Sequence, residues 1–207
     1  MNPAGDYRYL IGSMQNQYNN ASTIVGVLFA NPRKTLVKQE ILENLEYANK
    51  RSGAYIDFYF AGYSKYRTYD EEENTINAPN GNKWYFSPKM YNDFINQFEA
   101  CSSWKYSGET ELLLLEYRNG TLCFDKVIRL WIDKLVRDEN IYSVSNLFET
   151  IYRVARDKTE IDEFSFSLMY KNIKGSIFET ICSYIDEKFR KIIKSTTVYA
   201  IKDYSKE

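Results

Sequence analysis

The run from Thr23 to Ala30 (TIVGVLFA) constrains the fold more than any other part of the sequence. It is almost continuously apolar and rich in β-branched residues, which is typical of a strand buried on both faces of a sheet. Asn31-Pro32 follows and favours the start of a helix. Tyr55 to Ala61 alternates in polarity and predicts a second strand. The helix between them has apolar residues every three or four positions: Val37, Ile41, Leu45 and Ala48. This strand–helix–strand unit predicts two parallel strands with a right-handed crossover.

The second part of the chain predicts a helix, a β-hairpin and another helix. Ser87-Pro88 begins the first of these helices. Thr110 to Tyr117 (TELLLLEY) is a second apolar strand, and Asn119-Gly120 is the typical two-residue turn of a hairpin. Thr121 to Phe124 is then the returning strand. A third helix is predicted to begin directly after it, at Asp125.

This order of elements over residues 23–138 resembles the thioredoxin fold. The segment VGVLFANP is similar to the central strand and the start of the first helix of thioredoxin-like domains. The segment ELLLLEYRNGT is similar to their hairpin. The resemblance implies an α/β protein with a thioredoxin-like βαβ-α-ββα mixed sheet and a mainly helical C-terminal extension.

The chain is accordingly divided into three parts. We expect a flexible lead-in over 1–22, the thioredoxin-like domain over 23–138 with an insertion at 62–86, and a mostly helical extension over 139–207 that packs on the domain. Within the insertion, Asn80-Gly81 between Thr75–Ala78 and Lys83–Phe86 predicts a small hairpin. The extension predicts helices at 145–155 and 176–194 and a last strand at 197–201, whereas 161–174 fits a strand or a helix equally well.

The resemblance also implies where a redox site would lie. In redox members a cysteine pair stands at the start of the first helix, and a cis-proline stands just before the third strand. The matching residues here are Asn31, Pro32, Arg33 and Lys34, and the matching region before the third strand, Glu109 to Leu112, has no proline. We therefore expect no disulfide exchange by the usual route.

Two interpretations of this helix start remain open. Free backbone N–H groups and the charges of Arg33 and Lys34 favour an anion such as a carboxylate or phosphate. The predicted ligand-binding residues are Asn31, Arg33, Lys34, Glu109 and Glu111. The alternative is a helix that begins at proline and carries two solvated basic residues.

Composition excludes several classes of chemistry. The 207 residues contain no histidine, so neither Ser-His-Asp catalysis nor a His-ligated zinc is expected. The net charge is −1, without the basic excess of a nucleic-acid binder.

Three widely spaced cysteines form no CxxC, and no secretory signal or membrane span is predicted, so we expect a cytoplasmic protein. No cofactor or metal motif is recognised, since the acidic run Asp70–Glu73 is better explained as a charged loop than as a cation site.

Two functions remain. The first is a non-catalytic binding protein with a protein partner or a second copy, in which Trp84, Tyr85 and Phe86 form an exposed partner-binding anchor. The same aromatic residues would equally serve to dock the insertion onto the core. The second function is an enzyme acting on a small anionic or nucleotide-like substrate, of glutathione-transferase-like or nucleotide-processing type, with a glutamate such as Glu109 or Glu111 beside the substrate.

Overall fold

A computed structural model describes residues 1–19, 21–52, 55–68, 72–138, 141, 143–155 and 199–206. The predictions for 161–174 and 176–194 lie outside these residues. The helices are α1 (Tyr7–Tyr18), a π-helix (Val37–Leu42), α2 (Leu45–Ser52), a short 3₁₀ helix (Pro79–Gly81), α3 (Pro88–Cys101), α4 (Ile132–Arg137) and α5 (Val144–Ala155). The strands are β1 (Asn2–Ala4), β2 (Thr23–Phe29), β3 (Asp57–Ala61), β4 (Tyr63–Ser64), β5 (Asn74–Asn77), β6 (Lys83–Phe86), β7 (Glu111–Arg118), β8 (Thr121–Trp131) and β9 (Tyr199–Lys202).

A six-stranded mixed sheet in the order β1-β3-β2-β7-β8-β9 forms the centre of the fold. Strands β2 and β3 are parallel, with Gly26 opposite Phe58, which confirms the predicted strand–helix–strand unit. Strand β7 is antiparallel to both β2 and β8. The predicted Asn119-Gly120 turn joins β7 to β8, and Asn119 adopts the positive φ of 53° that such a turn requires.

Helices cover both faces of this sheet. On one face Phe58 contacts Phe148 of α5, with ring centroids 5.2 Å apart, and Arg51 of α2 donates to Glu149 of α5. On the other face Phe29 contacts Phe94 of α3 at 5.8 Å. Gly26 lies on the Phe58 side because alternate strand residues point to opposite faces. A Cβ at Gly26 would lie 2.5 Å from the Phe58 ring, so glycine lets that ring lie against the strand.

Two predictions of local structure are corrected. The lead-in expected to be flexible forms β1 and α1, in which Leu10 and Met14 are fully buried. The helix expected from Asp125 is instead the second half of β8, which pairs with β7 and with β9. The apolar spacing after Asp125 suits both states, and the pairing partner that decides between them comes from the far end of the chain.

The helix predicted after β2 is also interrupted. A turn over residues 31–34 comes first, and the π-helix separates it from α2. The predicted apolar positions Val37, Ile41 and Leu45 are nevertheless buried against the sheet. The amphipathic pattern therefore located the buried face and not the helix type.

The insertion forms its own three-stranded sheet in the order β4-β6-β5. Strands β5 and β6 are antiparallel and make the hairpin that Asn80-Gly81 predicted. Both turn residues have positive φ, 60° at Asn80 and 71° at Gly81. Strand β5 is an edge of this sheet, and β6 lies between β5 and β4.

Candidate functional site

The turn after β2 places the residues predicted to bind an anion. The Lys34 N–H donates to the carbonyl of Asn31 at 3.1 Å, and the Arg33 N–H donates to the Asn31 side-chain oxygen at 3.0 Å. The Asn31 side chain therefore stabilises the turn itself. Its oxygen accepts a hydrogen bond, so Asn31 is not arranged as a donor to an anion.

Lys34 is the centre of a charged group that we call the Lys34 cluster, formed by Lys34, Gly108, Thr110 and Asp133. The Lys34 ammonium donates to Asp133 at 2.5 Å and to the Gly108 carbonyl at 2.8 Å. The Thr110 amide donates to the same Asp133 oxygen at 2.8 Å. These bonds join three segments of the chain that are distant in sequence.

The Asp133 carboxylate is held in its charged form. Burial raises the pKa of Asp133, but interactions with Lys34, with the Glu109 side chain and with the Thr110 amide outweigh burial, so the pKa lies below its usual value. The side chains of Lys34 and Asp133 are 33% and 15% exposed. The cluster is thus a partly buried, internally neutralised ion pair.

Arg33 and Glu109 do not pair with each other: Arg33 lies outside this cluster, whereas Glu109 interacts with its Asp133. Arg33 contacts Glu72 on the surface, where both side chains are more than half exposed. Glu109 lies 3.4 Å from Arg137 of α4. Each predicted charge therefore has an opposite charge from this chain beside it.

Glu111 is the most buried of the predicted residues, with no exposed surface. Arg129 donates to both of its carboxylate oxygens, at 2.7 and 2.9 Å, and the Trp104 indole N–H donates at 3.2 Å. Ser107 donates to it through its amide and its hydroxyl. With its oxygens bonded in this way, Glu111 is a structural ion-pair partner inside the sheet.

Arg129 and Asp133 were missed as site residues. Arg129 lies in the second half of β8, where a helix was expected, and Asp133 lies in α4 and reaches Lys34 through the packing of that helix. Val127, Arg129 and Trp131 stand at alternate positions, which in a strand puts their side chains on one face. This spacing is the sequence signal for a strand here. Arg129 lies over the Trp131 ring, 4.6 Å from its centroid.

Two of the three residues of the predicted aromatic anchor are buried instead of exposed. Trp84 is 3% exposed and Phe86 is fully buried. Trp84 contacts the Phe60 ring at 5.4 Å, and Phe86 contacts the Tyr63 ring at 5.1 Å. These two residues dock the insertion onto the main sheet, because their large apolar area is removed from water there. Tyr85 is half-buried on the opposite side of β6 and contacts Arg67.

Two cavities lie away from the Lys34 cluster. A small apolar cavity of about 20 Å³ lies between α2 and α5, beside Leu45 and Phe148. A larger open groove of about 470 Å³ separates β5 from the helical wall opposite it. We call this the β5 groove; it is lined by Lys38, Leu42, Glu43, Leu45, Glu46, Thr75, Ile76, Asn77 and Ala78. None of the five residues predicted to bind a ligand lines either of these two cavities.

Two of the three cysteines, Cys101 and Cys123, belong to the described residues, and both are free. Burial raises the pKa of the Cys123 thiol, which disfavours the reactive thiolate. Over the described ranges, no three His, Cys, Asp or Glu side chains stand together in an arrangement that would hold a metal ion. In the part of the chain that the structure describes, no helix is both long and apolar enough to span a bilayer.

Comparisons of the chain with protein-family models, with curated proteins and with solved structures gave no match.

Proposed function

We propose that this protein is a redox-inactive, thioredoxin-like scaffold that acts by binding rather than by catalysis. The order β3-β2-β7-β8 supports the scaffold, because a parallel strand–helix–strand half lies beside an antiparallel hairpin half. Helix α3, which joins the two halves, lies on the face opposite α2 and α5.

The observation that carries the proposal is the ion pair between Lys34 and Asp133. By the resemblance to thioredoxin-like domains, Lys34 stands where a redox member has its second cysteine. Thr110 stands in the region of the cis-proline, and its N–H donates to Asp133. Proline has no N–H and could not make this bond. The Lys34 cluster thus replaces a redox site with a salt bridge.

The enzyme hypothesis has less support. Lys34, Arg33 and Glu109 each lie beside an opposite charge of this chain, and Glu111 is fully buried against Arg129. A ligand at this position would have to displace those partners, and removing one partner from a buried charge pair is costly.

A disulfide-reduction assay tests the missing activity. We expect the purified chain to reduce insulin disulfides with dithiothreitol no faster than the solution without protein. A clear acceleration would overturn the proposal.

Installing the missing cysteines tests the scaffold. The Lys34 N–H to Asn31 carbonyl bond closes a turn, which brings the Cα atoms of residues 31 and 34 within about 7 Å, a separation that a disulfide tolerates. We expect the double variant Asn31→Cys, Lys34→Cys to form a disulfide that dithiothreitol reduces reversibly and to gain activity in the insulin assay. The matched control is Asn31→Ser, Lys34→Ser. A folded double-cysteine variant with two unreactive thiols would contradict the scaffold.

A further inference from the structure

We propose that the β5 groove binds an extended peptide, which adds to β5 as a fourth strand of the small sheet. The proposal rests on the binding function proposed above and names the class of partner. Three features support it: the hydrogen-bonding edge of β5, the shape of the groove and the charges along its wall.

Among the described residues β5 pairs with β6 alone, so its other edge presents backbone groups to the groove. In an antiparallel pair, only alternate residues exchange hydrogen bonds with the partner strand. The Ala78 N–H donates to the Asn82 carbonyl at 2.9 Å, one step beyond the pair Asn77 and Lys83. Ile76 therefore bonds to β6, whereas the N–H and C=O groups of Thr75 and Asn77 point away from β6. Both residues line the groove.

The opposite wall suits an extended chain. Leu42, Leu45 and Ile76 line the groove. Leu42 and Leu45 are buried, and the partly exposed Ile76 is the apolar surface that a strand laid along β5 would cover. One end is closed where Glu46 accepts the Asn80 N–H at 2.8 Å. A slot with a free strand edge on one side and apolar side chains above it is the geometry used for strand addition.

The charges on the wall define the peptide further. Glu46 is engaged by Asn80 and lies 3.1 Å from Lys50. Lys38 and Glu43 also line the groove, and neither has an ion-pair partner among the described residues. A complementary peptide carries an acidic side chain toward Lys38 and a basic one toward Glu43. Because strand side chains alternate, these two must be an even number of positions apart.

A random nine-residue peptide library displayed on phage is the probe, with the folded full-length chain as target. We expect selected peptides to contain an acidic and a basic residue at even spacing beside an apolar residue. Synthetic copies are then titrated against variants by fluorescence polarisation. Failure to select any peptide, or selection without this pattern, would overturn the proposal.

Thr75→Pro tests the strand edge directly. It removes an N–H that points into the groove, and proline is tolerated on an edge strand where the N–H is not part of the ladder. We expect Thr75→Pro to weaken binding about tenfold, whereas Thr75→Ala, which keeps the N–H, changes the dissociation constant by about twofold or less. Equal affinity of the two variants contradicts strand addition.

Two measurements keep the outcome interpretable. Should Thr75→Pro fail to fold, two peptides replace it, one N-methylated at the odd backbone positions and one at the even positions. Only one of these two peptides must lose binding. Light scattering of the free chain reports the competing occupant: a dimer that Thr75→Pro converts to a monomer would assign the edge to a second copy and overturn the peptide proposal. Redox activity in the insulin assay would overturn the proposed function but not the peptide proposal.

Discussion

The Lys34 ammonium lies 2.5 Å from the carboxylate of Asp133, which is 99 residues further along the chain. The bond joins the turn after β2 to α4, and the Thr110 amide ties the start of β7 to the same carboxylate. A single carboxylate therefore fixes the relative positions of three segments. Its protonation state is expected to matter for stability.

Asp133→Asn is expected to lower the free energy of unfolding by about 1–3 kcal/mol at neutral pH, since Lys34 loses its partner charge. The pKa of Asp133 is lowered on folding. Its contribution is therefore present above the unfolded pKa of about 3.9 and is lost as the pH falls through the lower folded pKa. Urea titrations of wild type and variant should thus differ most near neutral pH and converge as the pH falls below the lowered folded pKa of Asp133.

The matched control for that variant is Arg33→Gln, which removes the exposed pair with Glu72. A surface pair contributes about 1 kcal/mol or less, so this change should be small at every pH. A gap between wild type and Asp133→Asn that stayed constant with pH would argue against an ionised carboxylate in the cluster.

Arg129→Met is expected to destabilise the protein by about 3–5 kcal/mol, because Glu111 would remain buried without its partner. Adding Glu111→Met to it should recover part of that loss, since two apolar side chains then face each other. Chemical denaturation of the single and double variants measures the difference. Arg137→Met, at the exposed pair with Glu109, is the control and should cost about 1 kcal/mol or less.

Gly62→Ala should be far more damaging than Gly81→Ala. Both glycines have positive φ, 79° and 71°, so an alanine costs about 1–2 kcal/mol in backbone strain at either position. A Cβ at Gly62 would also lie 2.6 Å from the Cα of Tyr91, whereas nothing lies within 4 Å of a Cβ at Gly81. Crowding adds about 1–3 kcal/mol at Gly62. Thermal melts that shift equally for both variants would contradict the close approach of β4 and α3.

Trp84→Ala is expected to cost about 3–5 kcal/mol, because it opens a cavity between the insertion and the Phe60 ring. Tyr85→Ala is the neighbouring control; its ring lies on the opposite side of β6 and interacts with Arg67, which is worth about 0.5–1 kcal/mol. Similar losses in urea denaturation would mean that the small sheet does not dock through Trp84.

Much of the central sheet could be predicted from local sequence. The β2 run, the alternation in β3 and the Asn119-Gly120 turn each carry a pattern that one conformation satisfies far better than another. The β5–β6 hairpin was predicted for the same reason. The prediction for the second half of β8 was wrong because its apolar spacing fits two periods, and one of the two strands that pair with it, β9, lies about seventy residues away.

The candidate site was harder to predict than the fold. Arg33, Lys34, Glu109 and Glu111 were predicted, with Asn31, to bind a ligand at the start of the helix after β2. What each one contacts depends on Asp133, Arg129, Glu72 and Arg137, which reach those positions only through strand order and helix packing. Charge patterns along a chain do not specify pairing across it.

The sequence by itself determined the strand–helix–strand unit, the two tight turns and the absence of histidine and of a cysteine pair at residues 31–34, because these follow from residue identity and short-range geometry. Only the tertiary structure decided that Lys34 is neutralised by Asp133, that Trp84 is buried and that the edge of β5 faces a groove. Those outcomes depend on burial and on contacts between distant segments, whose energies are realised only once the whole sheet has formed.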